Sequence, residues 1–171
     1  SSLIGSLAVA NSNGMVVSPQ VLDREIKQFE DLGINVAIVP GKYTALGNVI
    51  AANDKGAIVS PFLSEKAINV IEETLDVNVE ATSMVGSDII GSMIQVTNRG
   101  FLISSKAVQS EVKFAQEVFG VEGDIGTVGR GINLVGACSI ANKNGAIVAK
   151  DSTGPEMARV EEALGFLDDD F

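Results

Sequence analysis

Short apolar stretches occur in pairs along the chain, and a polar turn separates the two members of each pair. Residues 7–9 and 15–17, for example, read Leu-Ala-Val and Met-Val-Val on either side of the turn Asn-Ser-Asn-Gly at 11–14. Asparagine at the first position of such a turn bonds its own backbone, and glycine at the fourth position accepts a positive φ. The pattern therefore predicts a β-hairpin whose apolar strands are covered on both faces.

This hairpin pattern occurs four times, each time with two glycines nine residues apart. The copies follow one another at steps of 42, 44 and 45 residues. The first glycines are Gly5, Gly47, Gly91 and Gly136, and the second glycines, which end the turns, are Gly14, Gly56, Gly100 and Gly145. Four matches of spacing and residue type indicate an internal repeat, and units this small must pack against their neighbours to bury a core.

A helix is predicted after each hairpin. Ser18-Pro19 and Ser60-Pro61 place a capping hydroxyl before a proline at the first helical position, and Gly154-Pro155 starts the fourth helix. Apolar residues then recur at helical spacing, and glycine ends the helix. The apolar stripes include Leu22, Ile26, Phe29 and Leu32 in the first helix and Val108, Val112, Ala115 and Phe119 in the third.

A closing strand is predicted after the first three helices, at 34–39, 77–81 and 121–125. The repeat unit is therefore hairpin, helix and strand, and a single domain of four units is expected. The approximate bounds of the units are 1–42, 43–84, 85–130 and 131–171. Because the fourth unit has no closing strand, we expect an α/β ring whose seam is closed by a further repeat from before residue 1.

Composition and charge narrow the classes of function. The chain of 171 residues has 12 basic and 22 acidic side chains, a net charge of −10, and so lacks the basic footprint of a nucleic-acid-binding protein. A basic protein surface is the more fitting partner. A single cysteine excludes an internal disulfide and favours a reducing, cytoplasmic location. No apolar run approaches the roughly 20 residues that cross a bilayer.

Candidate catalytic and metal-binding residues are few. The chain has no histidine, and its one cysteine, Cys138, occupies a repeat position that we interpret as a packing position. The other copies carry large apolar residues there, namely Leu7, Val49 and Met93. No metal site is predicted, and the acidic run at 168–170 is interpreted as solvated. The glycine-rich stretch Gly-Thr-Val-Gly-Arg-Gly at 126–131 is interpreted as a connection between units, not a phosphate loop.

One repeat position is a candidate for binding, namely the residue after each first glycine. Its four occupants are Ser6, Asn48, Ser92 and Ala137. Because side chains alternate along a strand, we expect these residues to point away from the core and to form a mostly polar ring near the axis. Small residues selected to fit crowded strands are the alternative, which the sequence leaves open.

Several phrases of the chain resemble the translation initiation factor 6 family, whose members keep ribosomal subunits apart. The phrases are SSLIGSLAVAN (1–11), TALGNVIAANDKGAIVSP (44–61), VTNRG (96–100), GTVGRG (126–131), VGACSIANKNGAIVAKDSTGPE (135–156) and EEALG (161–165). The resemblance covers essentially the whole chain and is strongest to the archaeal branch. Gly129 departs from it, because relatives commonly carry asparagine at that turn position. The resemblance implies a pentein fold, an α/β propeller of five units around a pseudo-fivefold axis, with four units present here.

The resemblance also implies a function. A member of the family is a non-enzymatic factor without a cofactor, which binds the large ribosomal subunit and sterically blocks joining of the small subunit, with roles in translation initiation and large-subunit maturation. It implies contact with a basic ribosomal protein near the sarcin–ricin loop, with Asn48 on the binding face, Ser6, Ser92 and Ala137 as weaker candidates, and a monomer when complete. The alternative is a guanidine-modifying pentein hydrolase or amidinotransferase, which needs a histidine beside its cysteine. A scaffold for another protein is the third hypothesis.

Overall fold

The computed structural model describes residues 3–169, and in this range the chain forms four small sheets in sequence order. The strands are β1 (Ala8–Ala10), β2 (Met15–Val17), β3 (Val36–Ile38), β4 (Ile50–Ala52), β5 (Gly56–Val59), β6 (Asn78–Ala81), β7 (Ile94–Val96), β8 (Phe101–Ser104), β9 (Gly123–Gly126), β10 (Ser139–Asn142) and β11 (Gly145–Val148). The predicted hairpins and the three closing strands are confirmed. The side chains of the acidic run at 168–170 lie outside the described residues.

The α-helices of the described range are of two kinds, four long ones and three that consist of a single turn. They are α1 (Ile4–Leu7), α2 (Asp23–Glu30), α3 (Leu46–Val49), α4 (Glu65–Leu75), α5 (Ile90–Met93), α6 (Gln109–Phe119) and α7 (Gly154–Ala163), and a 3-10 turn follows at Phe166–Asp169. The long helices α2, α4 and α6 each connect the second strand of a hairpin to a closing strand, and α7 follows the second strand of the fourth hairpin. The single-turn helices immediately precede the first strands.

The strands of the first three sheets have one common topology. In each sheet the hairpin is antiparallel, and the closing strand runs parallel to the second strand of the hairpin. In the second sheet, for example, Ala51 lies opposite Ile58, and Ile58 lies opposite Glu80. The fourth sheet contains only β10 and β11 among the residues that the structure describes. The free edge of β11 is therefore where a closing strand stands in the other sheets.

The prediction that strands run through the first glycines is wrong. Residues 4–7, 46–49 and 90–93 form single helical turns, and strand geometry begins only at the following residue. In α3 the backbone N–H of Ile50 still donates to Leu46 O, which closes the turn before β4 begins. The argument from strand alternation therefore does not apply to Ser6, Asn48 and Ser92.

Two long helices begin later than the Ser-Pro pairs predict. α2 begins at Asp23, and α4 begins at Glu65 behind the N-cap Ser64, whose hydroxyl accepts a hydrogen bond from Ala67 N at 3.2 Å. Ser18 and Ser60 instead close turns before the helices, because each hydroxyl accepts a bond from the N–H two residues later. The fourth helix begins at Gly154, as predicted.

The long helices α4, α6 and α7 each pack on the sheet of the preceding repeat unit. Ile71 and Leu75 of α4 share one core cluster with Val16 of β2. Phe119 of α6 packs in a second cluster with Ile58 of β5, and Val160 of α7 packs in a third with Leu102 of β8. The core is thus a series of similar helix-on-sheet interfaces between neighbours, as expected for small repeats.

The long helix of the first unit, α2, has no preceding sheet to pack on among the described residues. No residue of α2 is buried, and two members of its predicted stripe, Leu22 and Leu32, are 50% and 76% exposed. In α6, the long helix of the third unit, the predicted stripe is confirmed for Val112, Ala115 and Phe119, whereas Val108 is the exposed N-cap. The difference shows that the burial of these helices depends on the neighbouring sheet and not on the stripe alone.

The first glycines allow neighbouring single-turn segments to contact each other through their backbones. A Cβ atom on Gly47 would lie 1.8 Å from Gly5 O. Equivalent atoms on Gly91 and Gly136 would each lie 2.1 Å from the carbonyl oxygen of the preceding first glycine. No side chain fits at these distances, so glycine is required by the close approach of neighbours.

The second glycines are also explained by a close approach. At three of these positions a Cβ atom would meet a backbone carbonyl near the end of the long helix of the following repeat unit. The distances are 2.4 Å between Gly14 and Thr74 O, 2.2 Å between Gly56 and Val118 O, and 2.2 Å between Gly100 and Ala163 O. None of these glycines has a positive φ, so the expected role in turn geometry is wrong. At Gly145 a Cβ atom would meet nothing within 4 Å.

Turn asparagines also bond one sheet to the next. The Nδ2 atom of Asn53 donates to Thr97 O at 3.1 Å and to Phe119 O at 2.9 Å. Asn11 makes the equivalent bonds to Asn53 O at 3.1 Å and Leu75 O at 2.7 Å. Each asparagine therefore fixes the turn and the helix end of its neighbour at once, which explains why asparagine recurs at this position.

Candidate functional site

The chain direction gives the molecule two different faces. One, which we name the helical-turn face, carries α1, α3, α5, the turn at 135–138 and the linkers that follow the closing strands at 39–45, 82–89 and 127–134. The other, the hairpin-turn face, carries the turns at 11–14, 53–56, 97–100 and 142–145. All segments of one kind share a face because each closing strand is parallel to the second hairpin strand.

The inner strands of the four sheets line one shared cavity. Its volume is about 610 Å³, and residues from β1, β4, β7 and β10 contribute to its wall. Of the four predicted binding residues, Ser6, Asn48 and Ala137 lie at this cavity. Ser92 is 3% exposed, and its carbonyl oxygen accepts hydrogen bonds from the N–H groups of the next turn. The expected ring is therefore partly formed, and the Ser92 side chain is not an accessible member of it.

Asn48 is the residue of this set with the most binding capacity. It stands in the single turn of α3, where its backbone N–H donates to Ala45 O at 3.0 Å. Its side chain is half-buried, and its amide makes no hydrogen bond to any other residue in the range 3–169. The amide is therefore available to donate to and accept from a partner.

Exposed apolar residues lie on the same helical-turn face as Asn48. They are Leu3, Phe62, Ile89, Val108 and Leu134. Leu3 and Ile89 are the N-caps of the single turns α1 and α5. Because strands were predicted for these segments, no N-cap was expected there. Apolar side chains around a polar group that lacks a protein partner are typical of a protein-binding surface. The sequence does contain a signal for these exposed apolar positions, because an apolar residue stands two positions before each first glycine.

An aromatic pair on the same face joins the first linker, at 39–45, to the segment between β5 and α4. The rings of Tyr43 and Phe62 are stacked with 6.3 Å between their centroids, and Lys42 Nζ lies 5.4 Å from the centroid of the Tyr43 ring. Phe62 is 60% exposed. Aromatic side chains offer a large apolar contact area to a partner, so this pair extends the surface beyond the cavity.

Two linkers on this face are held by glutamates from the first turn of a long helix. Glu156 of α7 accepts bonds from Gly131 N at 2.8 Å, Arg130 N at 3.0 Å and the Thr127 hydroxyl at 2.7 Å. It also accepts a bond from Thr153 N at 2.8 Å. The Thr153 backbone bond and those from the linker lower the pKa of the Glu156 carboxyl to about 2, although partial burial acts in the opposite direction.

The hairpin-turn face contains a chain of side-chain bonds between three turns. Asp54 accepts bonds from the Ser12 N–H at 2.7 Å and the Ser12 hydroxyl at 2.6 Å, and from Asn98 Nδ2 at 2.7 Å. Burial raises the pKa of the Asp54 carboxyl, but these hydrogen bonds outweigh burial and the net pKa is lowered. The side chains of Ser12, Asp54 and Asn98 are thus bonded within the protein itself.

The comparisons with known proteins decide the family. The sequence matches the eIF-6 family over residues 1–163. The chain belongs to this family. It is 78% identical to translation initiation factor 6 of Methanobrevibacter smithii over 98% of the chain and 75% of that protein. It is 43% identical to the factor of the same name from Methanocaldococcus jannaschii over 98% of the chain and 76% of the relative.

Membership of the eIF-6 family settles the choice between factor and enzyme. The family consists of non-enzymatic translation factors, so the predicted absence of catalysis is confirmed and the hydrolase alternative is set aside. Cys138 is half-buried and packs against the third core cluster, in agreement with a packing role. No group of His, Cys, Asp and Glu within the described residues is arranged to hold a metal ion. None of the described helices has the length and apolar character required to span a membrane.

Proposed function

We propose that the chain binds the large ribosomal subunit through its helical-turn face and thereby blocks joining of the small subunit. The observation that carries the proposal is the Asn48 amide, which has no described protein partner and lies on a face that also carries exposed apolar residues. The family name places the protein in translation initiation. Because a bound factor of this size occupies surface that a second subunit would contact, no catalytic step is required.

The partner on the subunit is a basic ribosomal protein, assigned to the region near the sarcin–ricin loop by the family resemblance. The net charge of −10 supports this proposal, since an acidic molecule associates faster with a basic surface. Ser6 and Ala137 border the same cavity as Asn48 and are proposed as secondary contacts. The factor acts in the cytoplasm without a cofactor.

The finer architecture is proposed to be a pentein ring of five units, of which four have the bounds 1–42, 43–84, 85–130 and 131–171. Two features support a fifth unit. Within residues 3–169, the α2 helix and the edge of β11 both lack the neighbour that the other repeats possess. The chain also covers 75% of its relative from Methanobrevibacter smithii, which leaves unmatched a share comparable with one unit in five. The closed ring is proposed to be monomeric.

Substitution of Asn48 tests the proposed function. Asn48→Lys introduces a positive charge opposite a basic partner and removes an amide that would be buried on binding. We expect at least a tenfold weaker affinity for large ribosomal subunits in co-sedimentation, which corresponds to about 1.4 kcal/mol. The melting temperature should change little, because the Asn48 amide makes no bond within the described chain.

The matched control is Asn69→Lys, at an exposed position in the middle of α4. It adds the same charge away from the helical-turn face and should leave the affinity unchanged. If Asn48→Lys binds as tightly as the parent, the binding face is wrongly assigned. If both substitutions weaken binding equally, the loss reflects overall charge and not this face.

A further inference from the structure

The linker at 127–131 has a fixed and unusual backbone conformation. Three consecutive residues, Gly129, Arg130 and Gly131, have φ angles of 60°, 65° and 97°. Arginine seldom adopts a positive φ, because its Cβ atom is crowded there. Val128 and Ile132 on either side exchange two backbone hydrogen bonds of 3.1 and 2.8 Å, which close the loop.

The loop is held by α7 and by the segment that precedes this helix. Glu156 accepts the N–H groups of Arg130 and Gly131, and Gly129 N donates to the Ser152 hydroxyl at 2.9 Å. The same design recurs one linker earlier, where Val85 has a φ of 57° and its N–H donates to Glu111. Every N–H of the three left-handed residues at 129–131 is therefore bonded, and the loop does not need a ligand to become ordered.

The side chain of Arg130 is left exposed by this arrangement. Its guanidinium makes no hydrogen bond or ion pair with any other described residue. Arg159, on α7, differs in this respect because it is paired with Asp124 and Glu162. Lys150 and Asp151 in the adjacent segment have opposite charges, and the Glu156 carboxylate offsets the charge of Arg130, but this carboxylate is bonded to backbone N–H groups and leaves the guanidinium of Arg130 without a described partner.

We propose that Arg130 contacts a phosphate group of ribosomal RNA when the helical-turn face is bound to the large subunit. This inference rests on the proposed function. The surface of a large subunit contains basic proteins and polyanionic RNA. The positively charged guanidinium is repelled by the basic proteins and attracted by the RNA. The planar guanidinium can donate two parallel hydrogen bonds to phosphate oxygens. Glu156 acts as a positioning residue, because a loop already fixed loses less conformational entropy on binding.

The salt dependence of binding distinguishes an RNA phosphate from other contacts. Each phosphate neutralised by a protein cation releases counterions, so the slope of log affinity against log salt concentration changes by about 0.7–0.9 per contact. We expect Arg130→Gln to lower the affinity for large subunits by about 3–10-fold at moderate salt and to reduce the slope by about that amount. Lys113→Gln, at an exposed position of α6, removes the same charge elsewhere and should alter neither quantity.

The role of Glu156 is tested by a double-substitution cycle. Glu156→Gln should weaken binding less than Arg130→Gln does, and the double variant should bind no more weakly than Arg130→Gln alone. An Arg130→Gln variant with the affinity and slope of the parent overturns the inference, as does a lower affinity with an unchanged slope, which indicates a protein carboxylate. If the parent itself does not bind large subunits, the proposed function fails as well.

Discussion

Glycine at six of the eight fixed positions of the repeat is required by a neighbouring backbone, the exceptions being Gly5 and Gly145. The sequence correctly singled out these eight glycines, but turn chemistry and close approach select the same residue, and a single unit cannot distinguish them. Only the assembled sheets show that Gly56 faces Val118 O and that Gly91 faces Gly47 O. The prediction of the binding residues had the same limit, because a single unit does not show how its neighbours bury a position. Asn48 and Ser92 occupy equivalent positions in the repeat, yet Asn48 is half-buried and Ser92 is buried.

Substitution at the second glycines tests this explanation. In Gly56→Ala the new methyl group would lie 2.2 Å from Val118 O, so helix α6 must shift. We expect a loss of about 1–3 kcal/mol in the free energy of unfolding, measured by urea denaturation. Gly145→Ala is the matched control, because the same atom meets nothing within 4 Å there. That variant should be neutral or more stable by up to about 1 kcal/mol. Equal losses in the two variants would show that the turn itself requires glycine.

At the scale of elements, the hairpins, the long helices and the closing strands could be predicted, because their periodicity extends over enough residues. The single helical turns α1, α3 and α5 could not be predicted. A four-residue segment such as Leu46–Val49 contains one helical turn, which is too short to show a period of 3.6 residues. The start of α2 at Asp23 was also missed, because serine followed by proline suits a tight turn as well as a helix N-terminus.

The linker held by Glu156 leads to a prediction about pH. The pKa of its carboxyl is lowered from the ordinary value of 4.5 to about 2 by hydrogen bonds that exist only in the folded chain. The ionised carboxylate therefore contributes stability that is fully present above about pH 4.5 and is lost as the pH falls towards 2. Glu156→Gln lacks this contribution. The gap in urea midpoint between parent and variant should be largest near pH 6 and should narrow between pH 4.5 and 2.

Hydrogen exchange provides an independent measurement of the same linker. Amide exchange at Arg130 and Gly131 should be faster in Glu156→Gln than in the parent at neutral pH, because both N–H groups donate to this carboxylate. Exchange at Val85 is an internal control, since its N–H donates to Glu111 instead. A midpoint gap that does not depend on pH would show that the carboxylate is not what stabilises the linker.

At the scale of the whole molecule, stability comes from similar interfaces between successive sheets. The order of the units could be predicted from the spacing of the glycines. The burial of individual helices could not be predicted from the sequence, because it depends on whether a neighbouring sheet is present. The α2 helix has an apolar stripe similar to that of α6, yet none of its residues is buried. The two outer sides of the array therefore expose surfaces that are buried at the internal interfaces.

This exposure predicts that the 171-residue chain associates with itself. Ile140 on β10 and Ile147 on β11 lie opposite each other and are 65% and 73% exposed. An apolar sheet face beside an unpaired strand edge attracts other chains. Sedimentation velocity should therefore show concentration-dependent association of the parent, and Ile140→Ser with Ile147→Ser should suppress it. The control is Phe62→Ser, which removes an equally exposed apolar group from the helical-turn face. If the control suppresses association and the sheet variant does not, the chains associate through the proposed ribosome-binding face instead.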